Sequence, residues 1–369
     1  MIKEKKEKMA KCKSCGTEVD IISKSVGFCR ECIIKSNECD HVIAVRSNTR
    51  RRYGLPIFPP ADGQRCGRCV NDCRIPDGER GYCGVRENIS GKIQNVAGDE
   101  AFAIAYHDPL PTNCVASWVC PGGTGSGFPK YSYERGPEIG YKNLAVFYGA
   151  CTFDCLFCQN WHYKELCRSS SSRLDAKKLA SMVDAKTSCI CFFGGDPTPF
   201  IDHSISTARH ALANSNRILR ICWESNGSMG VNYAKEIGLI ALETGGCVKI
   251  DLKAWNENLH RILCGATNEW TLKNIELLSH MASSRKDVPL LIVSTPLIPG
   301  YIDEKEVSAI ASFLADLDPD TPYSLLAFHP EYLMSDLPTT SKAQAQRCLK
   351  AAKDAGLRRV NIGNEWLLR

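Results

Sequence analysis

No apolar run in the chain approaches the ~20 residues that a membrane-spanning helix needs, and the opening MIKEKKEK lacks the apolar core of a secretory signal. A cytoplasmic location without membrane association is therefore expected. Strong charge of one sign is missing too: 46 Lys and Arg against 41 Asp and Glu leave a formal +5, carried partly by that opening alternation of lysine and glutamate, which reads as a solvated lead. Nucleic-acid binding gains little support from such a balance. No Gly-rich dinucleotide fingerprint follows the first predicted strand. The glycine-rich PGGTGSG at 121–127 lacks the Lys-Ser or Lys-Thr ending of a phosphate cradle, so it reads as a mobile loop near a barrel mouth.

Cysteine, by contrast, is abundant, with 21 in 369 residues, and 44% apolar content is ample for a core. A reducing compartment turns these thiols toward metal ligation or small apolar packing rather than disulfides. Residues 12–32 hold two C-x-x-C pairs thirteen residues apart, a spacing that aims Cys12, Cys15, Cys29 and Cys32 at one tetrahedral ion. Residues 1–45 are thus expected to form a zinc-ribbon or rubredoxin-like unit holding zinc or iron. Cys39 does not fit the knuckles. After RRRYGLPIFPPADG, which reads as a basic, proline-rich linker, Cys66, Cys69, Cys73 and Cys83 form C-x2-C-x3-C-x9-C in a Gly-, Asp-, Pro- and Arg-rich stretch. Residues 60–125 are read as a cysteine-rich auxiliary segment and loop in which a second metal or cluster supplies cohesion, zinc and iron-sulfur being equally compatible with the spacing. The plainer alternative is a thiol-bearing loop docked on a larger domain.

From 140 to 369 short apolar runs alternate with longer amphipathic ones. Strands are predicted at 144–149, 189–195, 218–224, 247–253, 289–297 and 323–329, and helices near 175–186, 203–213, 229–243, 270–284, 304–316 and 341–355. Six βα units imply an α/β fold, a partial (β/α)6 TIM-type barrel with small cysteine-rich metal-binding N-terminal units. In such a fold chemistry sits on loops at the C-terminal ends of the strands. The first of these loops is YGACTFDCLFCQNWHY, with Cys151, Cys155 and Cys158 as three thiols in eight residues. Three thiolates can bind three irons of a [4Fe-4S] cube and leave the fourth open to an external ligand. A zinc loop completed by His162 or Cys167 is the bland alternative.

C-x3-C-x2-C with Phe157 before its last cysteine resembles the signature of radical S-adenosylmethionine (SAM) enzymes. The resemblance implies that Cys151, Cys155 and Cys158 hold the catalytic [4Fe-4S] cluster and that SAM chelates its open iron. The cluster would then reductively cleave SAM to methionine and a 5′-deoxyadenosyl radical that abstracts hydrogen from a substrate. FFGGDPTPF is similar to the superfamily's Gly-Gly-Glu-Pro motif, which implies backbone contact of Gly194 and Gly195 with the SAM amino group, with Asp196 in place of Glu. CWESNG, VKIDLK, STPLIPG and LLAFHPEY resemble strand ends of pyruvate formate-lyase activating enzyme and its relatives. By that resemblance Glu224, Ser225, Asn226, Asp251, Lys253 and His329 join Phe157 in lining the SAM pocket, and Glu224 and Asp251 help hold a monovalent cation. Lys249 departs from the family by standing where an apolar residue is usual.

Over residues 65–364 the chain resembles the radical SAM enzyme of the AmmeMemoRadiSam system, through RCGRCVNDCRIPDGERGYCGVREN, HDPLP, CQNW and GLRRVNIGN. Cys114 and Cys120 depart from it and could complete a second metal site or be buried thiols. The implied partners are a flavodoxin- or ferredoxin-type one-electron reductant and a substrate that can be a protein. The runner-up among enzymes is a glycyl-radical enzyme activase. From another class comes a non-catalytic metal-binding or RNA-binding scaffold using the four-cysteine unit and Arg50, Arg51 and Arg52, although basic and aromatic residues are hardly interleaved beyond Tyr53.

Overall fold

The computed structural model describes residues 9–36, 39–168 and 172–369. The lysine–glutamate lead at 1–8 lies outside the described residues. One nine-stranded sheet organises the chain. Its strands are β1 (Glu100–Pro109), β2 (Lys142–Tyr148), β3 (Arg173–Asp175), β4 (Thr187–Gly194), β5 (Arg220–Ser225), β6 (Val248–Asp251), β7 (Leu291–Leu297), β8 (Tyr323–Ala327) and β9 (Val360–Gly363). They are hydrogen-bonded in the order β9-β8-β7-β6-β5-β4-β2-β1-β3. β2 and β4 through β9 form one parallel ladder, while β1 runs antiparallel to β2 and β3 antiparallel to β1. The curve stays open because β9 and β3 each bond on one side only.

The helices longer than a single turn are α1 (Arg30–Lys35), α2 (Asp40–Arg52), α3 (Ile201–Ala213), α4 (Val231–Thr244), α5 (Glu257–Cys264), α6 (Glu269–Ala282), α7 (Glu304–Leu317) and α8 (Lys342–Asp354). Local signals set several of their ends: the Asn256 side chain accepts from Leu259 N to start α5, and left-handed Gly265 closes it. Asp303 likewise accepts from Lys305 N and Glu306 N at the start of α7.

Strand alternation sorts the barrel's two faces. Leu144, Val146, Tyr148, Ile190, Phe192, Ile221 and Trp223 are buried in the main apolar core. On that face Trp223 Nε1 donates to Ser204 Oγ of α3 at 3.0 Å, so these side chains lie under the helices. The opposite face of the same strands carries Asn143, Cys189, Cys191, Arg220, Cys222, Cys247 and Lys249, which line an interior cavity of about 170 Å³. A packed TIM barrel fills that space with branched aliphatics; here thiols and charges occupy it.

Several expectations need correction. The parallel strands number seven, not six, because Val360–Gly363 pairs with β8. The 175–186 helix is a single turn, Ala176–Ala180, and α5 precedes the expected 270–284 helix. RRRYG is no linker at its start: Arg50–Arg52 form the last turn of α2. The 121–127 segment closes the end of the barrel where the strands begin rather than its mouth. Its Gly122 packs on the Arg220 guanidinium, and a Cβ on Gly123 would fall 1.8 Å from Ser117 O. Beneath it, Arg220 and Glu138 form a buried bidentate pair at 2.8 and 2.6 Å. Burial raises the Glu138 carboxyl, but Arg220 outweighs it and holds the group below its usual range.

Two buried histidines make the fold acid-sensitive. His203 Nδ1 faces Tyr148 OH at 3.0 Å and its Nε2 faces Leu174 O at 2.9 Å, while His260 Nδ1 faces Ala266 O at 2.7 Å and its Nε2 has no protein partner. With Nε2–H of His203 and Nδ1–H of His260 donating to those carbonyls, each ring is neutral, and burial depresses both pKa values from 6.5 to about 4. The unfolded chain binds these protons first. Stability is therefore complete above about 6.5, falls as pH drops toward about 4, and levels off below it. At about 1.36 kcal/mol per pH unit the loss comes to about 3 kcal/mol per histidine. Urea titrations at stepped pH are expected to show this slope, and His203→Phe to remove about half of it.

Candidate active site and metal centres

The loop leaving β2 is pinned on three sides. Gly195 N donates to Tyr148 O at 2.9 Å and Asp196 N to Ala150 O at 2.8 Å, tying it to the end of β4. Asn226 Nδ2 donates to Thr152 Oγ1 at 2.8 Å from the end of β5. Asp154 N and Leu156 N donate to Cys264 O and Leu263 O at the end of α5, both at 2.9 Å. Glycine is required at both positions of the Gly194-Gly195 pair by the loop itself. A Cβ would lie 2.3 Å from Tyr148 N at Gly194, where φ is +117°, and 2.3 Å from Ala150 O at Gly195.

This anchoring turns Cys151, Cys155 and Cys158 toward one cavity of about 580 Å³, a size suited to a cofactor. Phe157, Gly194, Gly195, Asp196, Glu224, Ser225, Asn226, Asp251 and Lys253 line it as well. His329 does not. β8 ends at Ala327, Phe328 takes the inward position, edge-on to Phe157 at 6.4 Å, and the half-exposed His329 turns to Glu331 at 3.8 Å. Neither His162 nor Cys167 lines the cavity. Sequence reasoning missed Cys264, whose thiol lies beside that of Cys155, outside the cavity, and draws the Cys155 pKa down. It also missed Asn361, Asn364 and Trp366, which close the wall from the β9 side.

Asp196 acts mainly as a clasp. Its carboxylate accepts from Thr198 N at 2.8 Å, Ser225 Oγ at 2.9 Å and Asn226 N at 2.7 Å, joining the ends of β4 and β5. Burial pushes its pKa up, against those hydrogen bonds. Asp196→Ala leaves a buried Asn226 N–H unpaired, and a loss of about 2–4 kcal/mol by denaturant titration is expected. Across the cavity Lys253 Nζ pairs with Asp251 Oδ2 at 2.6 Å, and Ser294 Oγ donates to the other oxygen of Asp251. This ion pair faces the cavity. Glu224 borders both cavities; Lys249, buried below it, reaches Glu224 Oε2 at 3.3 Å and the thiols of Cys114 and Cys191 at 3.1 and 2.9 Å. Burial works against its charge, but these partners hold the ammonium protonated.

Behind the loop, Asp154 is the centre of a buried ionic cluster. Lys164 Nζ lies 2.5 Å from Oδ1 and Arg50 Nη1 3.6 Å from Oδ2, every side chain at most 2% exposed. Arg46 Nε donates to Asp154 O at 3.1 Å, so α2 braces the loop from outside. Arg50 is thus spent inside the protein and offers nothing to a phosphate backbone.

The N-terminal thiols form a second centre. Ligand atoms of Cys12, Cys15, Cys29 and Cys32 all lie within 4.8 Å of one another, with Cys12–Cys32 at 3.8 Å and Cys15–Cys29 at 3.9 Å. A tetrahedral ion with bonds of about 2.3 Å separates its sulfurs by about 3.8 Å. Burial opposes ionisation of Cys12, but backbone N–H groups of Cys15, Cys29 and Ser14 bring it down to about 6; burial carries Cys29 up to about 12. The unit is fastened to the barrel: Ser23 N donates to Tyr301 OH at 3.0 Å, and Arg30 reaches Glu306 at 3.2 Å. Cys29→Ser is expected to lower the zinc or iron content of the purified protein, read by metal analysis, while leaving the β2 loop in place.

Cys114 and Cys120 do not join the Cys66–Cys83 group. They line the interior cavity with the strand thiols.

Residues 145–314 match the family model described as the radical SAM superfamily. An isethionate sulfite-lyase activating enzyme of Desulfovibrio desulfuricans is 31% identical over 260 residues, covering 54% of this chain and 81% of the relative. An uncharacterized protein of Methanocaldococcus jannaschii is 26% identical over 306 residues, 81% of each chain. Among solved structures, a domain of a pyruvate-formate lyase-activating enzyme from Bacteroides vulgatus aligns over 47% of this chain and 98% of its own at 26% identity, with a TM-score of 0.37. Three thiols on the first loop of an open parallel barrel, and the sequence matches that span them, make this chain a member of the radical SAM superfamily.

Proposed function

We propose that Cys151, Cys155 and Cys158 hold a [4Fe-4S] cluster whose remaining iron takes SAM, and that the chain generates a substrate radical. The observation that carries this reading is the convergence of the three thiols on one cofactor-sized cavity. The nearest spare thiols are placed elsewhere: Cys264 and Cys167 lie outside the cavity, and Cys114, on its wall, is engaged by Lys249. When bound, cluster and SAM together supply reductive carbon–sulfur cleavage to methionine and a 5′-deoxyadenosyl radical that abstracts hydrogen.

The chain's own residues bind and orient. The Gly194-Gly195 backbone presents polar groups at the cavity wall without side chains in the way, while Asp251 and Lys253 offer paired charges for the methionyl amino and carboxylate groups. Phe157 and Phe328 supply apolar wall that excludes water, protecting a reactive intermediate from quenching.

The substrate is a protein in this reading, supported by the resemblance to an activating enzyme, and the electron comes from a flavodoxin- or ferredoxin-type donor in the cytoplasm. Anaerobic reconstitution with iron, sulfide and dithionite, followed by addition of SAM, is expected to yield 5′-deoxyadenosine. Its persistent absence from protein with a full cluster would overturn the proposal. Co-purification of a large partner bearing a glycyl-radical motif would identify the chain as an activase.

A further inference from the structure

The four thiols of Cys66, Cys69, Cys73 and Cys83 play no part in the SAM cavity, yet all four line one cavity of their own. The segment that carries them is a metal nest by shape. Gly67 and Gly84, each following a ligand cysteine, adopt φ of +67° and +77°, and Asp72 before Cys73 adopts +40°. Cys66 N donates to Cys73 O at 2.8 Å, which folds the two ends of the nest together. Tyr82 N points at Cys73 Sγ at 3.4 Å. Arg68 and Arg86 border the same cavity and offset negative charge on the thiolates.

Spacing separates this group from the N-terminal one. Among the described residues only Cys12, Cys15, Cys29 and Cys32 close to within 4.8 Å of one another as a set of metal-ligating groups. The Cys66–Cys83 quartet stands wider around its common space. A single zinc draws four sulfurs to about 3.8 Å. A four-iron cube keeps its thiolates farther apart, because each binds a different iron. The SAM-cavity thiols share that open arrangement.

We infer that Cys66, Cys69, Cys73 and Cys83 bind a second [4Fe-4S] cluster, closed by four protein thiolates, rather than a zinc ion. It rests against the rear of the first. Asn71 Nδ2 donates to Thr152 O at 2.6 Å, Val70 N to Ser228 O at 2.9 Å and Gly230 N to Arg68 O at 2.9 Å. Thr152 borders the four-thiol cavity while its neighbour Cys151 faces the SAM cavity.

The inference rests on the iron–sulfur reading of the first site, so the test separates the two. Acid-labile sulfide is the readout, because zinc and rubredoxin-type sites contain none. The anaerobically reconstituted full chain is expected to hold about eight sulfides and about eight cluster irons. Cys155→Ala should retain about half of both, and Cys69→Ala/Cys73→Ala should retain the other half together with a paramagnetic signal that changes on adding SAM, which shows that the barrel is folded. About four sulfides in the parent, all lost in Cys155→Ala, would overturn the second cluster alone. Stoichiometric zinc displaced from the Cys66–Cys83 group with no change in sulfide would do the same. No sulfide in the parent would overturn both sites.

Discussion

Replacing Cys155 with alanine is expected to take 5′-deoxyadenosine formation below detection, a loss of at least about a thousandfold if the residual two-thiolate site holds any iron at all. The thiol is nearly buried and faces the SAM cavity with Cys151 and Cys158, and the one further thiol beside it is Cys264. Cys264 cannot replace it at the cavity because it sits behind the loop, so Cys264→Ala should cost some stability and leave SAM cleavage measurable. The fold should survive Cys155→Ala. The loop backbone bonds to α5 through Asp154 N and Leu156 N, and those bonds do not involve the sulfur. Circular dichroism of parent and variant should therefore coincide, and turnover at the parent rate would show that the wrong thiols have been assigned.

The second large effect is expected at Asp154. Alanine there leaves Lys164 and Arg50 as buried cations without their counter-charge, a change that costs about 3–5 kcal/mol when one partner of a buried pair is removed. The same cut breaks the link from the loop through Arg50 to Tyr82 O, which Arg50 reaches at 2.5 Å, and leaves the Arg46 bond to Asp154 O as the remaining hold of α2 on the loop. Denaturant titration should show the loss, and the cluster should decay faster in air than in the parent. Asp154→Leu combined with Lys164→Met should recover part of the stability by removing one orphaned charge. A loss below about 1 kcal/mol for Asp154→Ala would mean that water reaches these cations and that the brace from α2 carries little.

How much could be read from the sequence depended on how local each signal was. C-x3-C-x2-C lies within a single loop, and the predicted strands at 144–149 and 323–329 fall on β2 and β8, because a strand buried on both faces writes a continuous apolar run. β1 is not legible from EAFAIAYHDP, where small and large apolar residues follow one another without polar alternation, and its antiparallel pairing beside the edge strand β3 leaves Ile104 and Tyr106 exposed. The role of Arg50 was illegible: its partner Asp154 is a hundred residues away, and three consecutive arginines look the same whether solvated or buried. His329 fails for a related reason: the strand stops at Ala327, Phe328 takes the inward position, and the side chain after it turns outward. In the sequence Asp196 stands out only as replacing the glutamate of the Gly-Gly-Glu-Pro motif. Its three hydrogen bonds span β4 and β5, and no motif records them.

Lys249 shows the same limit from the other side. Its oddity in an apolar position was visible, but its meaning depended on Glu224, Cys114 and Cys191 converging from separate segments.

Electron–nuclear double resonance on the reduced protein with SAM carrying nitrogen-15 in its amino group addresses the open iron most directly. A resolved nitrogen-15 coupling to the cluster in the parent, absent from Cys155→Ala, is the expected result. A cluster that binds SAM-free and shows no coupling, with a protein side chain as fourth ligand, would contradict it.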